Sequence, residues 1–99
     1  MSKRRVVITG LGIVSPVGNT VSSAWESIVS GKSGSTRITR FDASNFTSQI
    51  AGEVKDFDIQ QYLSAKEARR MDIFIHYGMA AAIQAVKDAR DKELRDVFT

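Results

Sequence analysis

Arg5-Val6-Val7-Ile8-Thr9-Gly10-Leu11-Gly12-Ile13-Val14-Ser15-Pro16-Val17-Gly18 opens with a β-branched run and ends in glycine-rich chain. Val6, Val7 and Ile8 are apolar on successive positions, the pattern of a strand covered on both faces in a parallel or mixed sheet. The run predicts a fully buried strand over Arg5–Thr9. Gly10 to Gly18 reads as a tight turn around Pro16, with Ser15 bonding its own backbone. Gly10-x-Gly12-x-x-Ser15 falls one glycine short of a dinucleotide-binding loop. Pro16 follows at once, and the next helix starts too late for its N-terminus to meet a phosphate at the glycines.

Outward from this stretch, Asn19 or Thr20 caps a helix over Val21–Ser30, and Gly31 stands at the position past its end. Ala24, Trp25, Ile28 and Val29 form its inward side. Gly31-Lys32-Ser33 imitates the end of a phosphate-binding loop but closes a helix instead of opening one. Between Lys32 and Phe57 single apolar anchors (Ile38, Phe41, Phe46, Ile50, Val54) suggest short strands or loops, with one short strand at Gln49–Val54 and a bulge allowed at Gly52. Ser64-Ala65-Lys66-Glu67 fits a capping box for a long final helix. Met71, Phe74, Ile75, Gly78, Met79, Ala82, Ile83 and Val86 recur at helical steps, and Ile73, Tyr77, Ala80, Ala81 and Ala85 fill the remaining circumference. A helix apolar nearly all round is buried nearly all round, which takes more neighbours than these elements supply.

The 99 residues make one domain at most; 42% are hydrophobic and 25% charged, ordinary for a globular chain. No cysteine is present, which excludes disulfides, thiolate metal sites and a Cys nucleophile. The single histidine, His76, has Asp72 four residues before it as a hydrogen-bond partner and reads as structural. Asp56, Asp58, Asp88 and Asp91 lack a metal-ligand spacing. The net charge of +3 admits an acidic partner without requiring nucleic acid. Lys3-Arg4-Arg5 before an apolar run imitates a signal peptide, but glycines interrupt the run and no cleavage site follows, so the expected location is the cytoplasm. No stretch is long enough to span a membrane.

One cluster asks for more. Lys66, Arg69 and Arg70 share a face near the start of the last helix, where cations oppose the helix dipole. They read either as an exposed docking patch for an acidic protein, reinforced by Lys3, Arg4 and Arg5, or as an ordinary solvated face.

Arg4 through Gly18 resembles the opening of the β-ketoacyl-acyl-carrier-protein synthases, the synthase II type most of all. In register follow Trp25-Glu26-Ser27-Ile28, Gly31-Lys32-Ser33-Gly34, Phe41-Asp42, Ala51-Gly52-Glu53-Val54, and Lys66 through Gly78. The likeness holds to about Asp88. Beyond it the chain stays charged, with Arg90 where such proteins carry a helix-stopping glycine, and Leu94, Val97 and Phe98 would add an apolar ridge.

The resemblance implies an α/β, thiolase-like fold, of which residues 1–99 would be the first part of the N-terminal half of a homodimeric enzyme. Such enzymes extend an acyl thioester by decarboxylative Claisen condensation with malonyl on acyl carrier protein, without metal or nucleotide cofactor. A cysteine takes the acyl group, two histidines assist decarboxylation and backbone amides hold the oxyanion. None of these catalytic groups falls within this sequence, so the chain alone is expected to be inactive. Lys66, Arg69 and Arg70 fall where synthase II-type enzymes present cations to the acidic carrier protein. The alternatives are a truncated, non-catalytic module keeping only this docking face, or a polyketide-type subunit acting through a partner.

Overall fold

Thr20 starts the first helix, α1 (Val21–Val29), with a reciprocal cap: its side chain accepts from the Ser23 N–H while the Ser23 hydroxyl receives the Thr20 N–H. Serine here does the work usually given to Glu or Gln at this position. Gly31 closes α1 at φ +76°, its N–H on the Ile28 carbonyl and that of Lys32 on the Ser27 carbonyl. This pair of bonds satisfies two of the carbonyls a helix end leaves open and needs the left-handed residue that glycine supplies.

These features come from a computed structural model that describes residues 3–98, with side chains described through Asp91. After α1 come β1 (Ser35–Arg37), β2 (Ile50–Gly52), a 3₁₀ turn (Ile59–Gln61), α2 (Ala65–Ala68) and α3 (Ile73–Phe98). The two strands pair antiparallel, with Thr36 opposite Ala51 and Gly52 opposite Ser35. Gly52 is therefore a regular ladder position and not a bulge. It serves close approach, since a Cβ there would lie 3.0 Å from Pro16 Cγ. The strand is shorter than the expected Gln49–Val54.

Three larger expectations are corrected. Arg5–Thr9 forms no regular element and pairs with no described strand, and Val6, Val7 and Ile8 are 93%, 73% and 80% exposed. A buried strand needs strands on either side, and β1 and β2 pair only with each other. The glycine-rich stretch is a turn only at Ser15–Gly18, which face each other across an isolated bridge. There the Ser15 hydroxyl donates to the Gly18 carbonyl at 2.9 Å, as its turn role requires. Before that turn, Gly10 and Gly12 lie flat against α3: a Cβ on Gly10 would sit 2.7 Å from Ala89 N, and one on Gly12 2.9 Å from Ala85 N. The glycines let two backbones touch, and Ala81, Ala85 and Ala89 supply the matching small face one turn apart. Leu11 N–H and Ile13 N–H, on alternate residues, donate to Asp88 Oδ2 (3.0 Å) and Gln84 Oε1 (3.2 Å).

The third correction concerns the final helix, which is two helices. Ser64 caps α2 by accepting from Glu67 N–H at 3.2 Å. The bonds then tighten to three-residue spacing, Arg70 N–H to the Glu67 carbonyl and Met71 N–H to that of Ala68, and the chain breaks. The Asp72 carbonyl opens α3 by accepting from Ile75 and His76. α3 runs straight through Arg90 to Phe98, and the apolar ridge expected at Leu94, Val97 and Phe98 lies outside the described side chains.

Gln84 joins the pieces. Besides Ile13 N–H, its amide donates to the Asn19 carbonyl (2.6 Å) and to Tyr62 Oη (2.9 Å), tying the N-terminal stretch, the α1 entry and the 3₁₀ turn to α3.

Among the described residues the buried apolar positions are Ala24, Ala43, Ala68 and Ala80, with no large side chain fully enclosed. Trp25, Ile28 and Val29, expected inward, are mostly exposed, as are Phe74 and Val86. The chain exposes 8219 Å². A folded monomer of its mass exposes about 5600 Å². Its radius of gyration of 17.6 Å likewise exceeds the roughly 13 Å of a self-contained domain this long. The elements are well formed locally, and their outer apolar faces stay uncovered.

Candidate functional site

Lys66, Arg69 and Arg70 are exposed, on a different support from the one the periodicity predicts. Lys66 lies within α2, Arg69 caps its C-terminus, and Arg70 sits in the tightened turn beyond. The electrostatic sign changes accordingly. These cations flank the carbonyl end of α2, where positive charge is favourable, and Arg69 Nε donates to the Ala65 carbonyl at 3.3 Å.

α3 holds this turn in place. The Nε2 of His76 donates to the Ala68 carbonyl at 2.8 Å, across eight residues. A carbonyl only accepts, so this ring nitrogen carries a proton. His76 is structural, as the sequence suggests, but its ring partner is Ala68; Asp72 meets only its backbone N–H.

The next residue along α3 anchors a further cation. Arg40 Nη2 donates to Tyr77 Oη at 2.7 Å, and the Tyr77 ring packs edge-on against Phe57 at 5.1 Å. Phe57 stacks in turn on Tyr62, whose hydroxyl meets Gln84. The backbone before Arg40 is clamped by Glu53, whose carboxylate accepts from the Thr39 hydroxyl (2.8 Å) and from the Thr39 and Arg40 N–H groups. The Thr39 hydroxyl, above all, holds the Glu53 carboxyl below its usual range, with smaller help from the two N–H groups and the Arg40 charge. Asp42 is lowered likewise by the Ser44 hydroxyl and N–H. No sequence period links Arg40 to Tyr77 or His76 to Ala68, so neither pair was legible beforehand.

The other candidates resolve into structure. The Ser15 hydroxyl is committed to its turn, and Gly10 and Gly12 face the backbone of α3 instead of an open phosphate cradle. Lys32 and Lys55 line one cleft with Asp56, but Lys55 Nζ is already bonded to the Gly34 carbonyl at 3.1 Å. What the described side chains offer chemically is a cationic surface on a braced turn.

Residues 3–96 match the N-terminal domain of β-ketoacyl synthases. The chain belongs to that family. It is 58% identical over 89 residues to 3-oxoacyl-[acyl-carrier-protein] synthase 2 of Vibrio harveyi, covering 90% of this chain and 21% of that protein. The protein of the same name from Synechocystis is 49% identical over 90 residues, covering 91% of this chain and 22% of its own length. The mixed helix-and-sheet architecture also aligns with the ishigamide ketosynthase/chain length factor. That match has a TM-score of 0.79 and 38% identity over 89% of this chain and 22% of that one. The β-ketoacyl synthase segment described here thus spans about a fifth of the length of the curated relatives it matches. Among the described residues, none of its helices is long and apolar enough to cross a membrane.

Proposed function

We propose that this chain is the opening part of a fatty-acid 3-oxoacyl-[acyl-carrier-protein] synthase, a cytoplasmic homodimer of thiolase-like fold. It lengthens an acyl thioester by decarboxylative condensation with a malonyl group on acyl carrier protein. The observation that carries this reading is the 58% identity, over nine-tenths of the chain, to a protein of that name. The uncovered apolar faces support it as well, since they are what one part of a larger layered fold would show. The acylated cysteine and the two histidines of the reaction are then supplied by residues outside these 99. Within them the functional contribution is docking: Lys66, Arg69 and Arg70 attract the acidic carrier protein.

Titration of acyl carrier protein against the chain at low ionic strength tests this. Lys66→Glu combined with Arg69→Glu is expected to weaken binding by about tenfold or more, with the difference shrinking as salt screens the charges. Unchanged affinity in low salt would reduce the cluster to a solvated face.

A chain of these 99 residues without cysteine admits one second reading, a non-catalytic truncated module that keeps only the basic carrier-protein docking face. The intact mass of the protein in its own cells separates the two. A mass several times 10.9 kDa supports the enzyme, and 10.9 kDa supports the module.

A further inference from the structure

We infer that His76 is the positioning residue of the docking face: its Nε2–H holds the Ala68–Arg69 peptide and so fixes where Arg69 and Arg70 present their charges. This rests on the docking reading above and adds a residue to it that touches no partner.

The turn that carries the cations does not support itself. α2 has only four residues, far below the length at which a helix is stable alone. Ser64 secures its first turn, but past the Arg69 cap the bonds tighten to three-residue spacing and no regular helix resumes until Ile73. Arg69 opens that interval and Arg70 falls inside it. α3, by contrast, is 26 residues long, and the His76 backbone N–H is engaged in its first turn through the Asp72 carbonyl. The imidazole therefore projects from a rigid element onto the end of a weak one.

Its target is the peptide group immediately before Arg69. That carbonyl takes two donors, Met71 N–H at 3.3 Å and His76 Nε2 at 2.8 Å, and Ala68 itself is buried. The Met71 bond is local and moves with the turn. Among the described residues the His76 bond is the side-chain hydrogen bond that reaches from α3 back to the end of α2, beside the bonds of the Asp72 carbonyl to the Ile75 and His76 N–H groups where the chain enters α3. Without the His76 bond, α2 and its cations stay charged and exposed but lose their orientation relative to the rest of the surface.

The test compares carrier-protein affinity for the intact protein that carries this segment, unaltered or with His76→Ala, His76→Leu, His76→Gln or the Lys66→Glu, Arg69→Glu pair. Losing one such hydrogen bond should weaken binding about two- to tenfold in the Ala and Leu variants. Gln, whose amide donates at similar reach, should restore it to within about twofold. The Ala and Leu variants should also show faster amide exchange confined to residues 69–72.

Normal affinity in His76→Ala and His76→Leu, alongside weak binding by the charge-reversed pair, would overturn the inference and leave the docking reading standing. Normal affinity in the charge-reversed pair would remove both. Loss of cooperative folding in both Ala and Leu variants would also overturn it, because His76 would then hold the whole fold and not aim one turn.

Discussion

A methyl group added at Gly12 has nowhere to go. Its Cβ would lie 2.9 Å from Ala85 N and from Gln84 Cβ, and closer still to the Ala81 carbonyl oxygen. Two of these three neighbours are helix backbone and cannot yield singly, so Gly12→Ala must lift the N-terminal stretch off α3. Overpacking of this kind costs about 1–3 kcal/mol. Losing the Ile13 N–H bond to Gln84 adds about 0.5–1.5 kcal/mol. The restricted unfolded chain gives back about 0.4–1 kcal/mol. The net is a destabilisation of about 2 kcal/mol. Gly78 provides the opposite case within the same helix: it lies in α3 with nothing within 4 Å of an added Cβ. Gly78→Ala should therefore stabilise by about 0.8–1 kcal/mol, the helix-propensity difference. Urea unfolding followed by far-UV circular dichroism should separate the two variants by roughly 1–3 M in midpoint, on either side of the parent. If Gly12→Ala moves the midpoint upward as Gly78→Ala does, the stretch does not lie against α3 and the account of its glycines fails.

Gln84→Ala removes a bond to each of three separate segments and should cost about 2–4 kcal/mol by the same unfolding measurement, well above a typical surface change. Thr20→Ala should cost about 1 kcal/mol by uncapping α1, with amide exchange rising first at Ser22 and Ser23. The Glu53 carboxyl is held below its ordinary range in the folded chain, so its contribution is full above that range and lost as pH falls through its folded value. The urea midpoint should accordingly drop on acidification through roughly pH 5 to 3, and Glu53→Gln should flatten that part of the profile. Tyr77→Phe removes the acceptor of Arg40 and should free its guanidinium, seen as loss of a distinct side-chain resonance, with no change in helix content.

How far the sequence could be read depended on the range of each interaction. Thr20, Gly31 and Ser64 act on residues three or four positions away, and their caps were legible as spacing. The break at Arg69–Asp72 was hidden because Ala68, Met71 and Ile75 continue a helical period across it. Gly10 and Gly12 carry a turn former's signature in the sequence, yet their partners lie on α3 some seventy positions away. A glycine needed for close approach and one needed for a turn look alike in one dimension. Val6–Ile8 has the composition of a covered strand, and composition states what a segment requires, not whether these residues supply it.

That stretch has a further consequence. An exposed β-branched run with high strand propensity is a segment on which a second copy can add, the first step of disordered clumping. Lys3, Arg4 and Arg5 stand directly beside it, and two such triplets brought edge to edge repel. Charge flanking an apolar run is the pattern by which gatekeeper residues oppose such association. Salt screens that repulsion, so added ions should favour contact between copies of the segment.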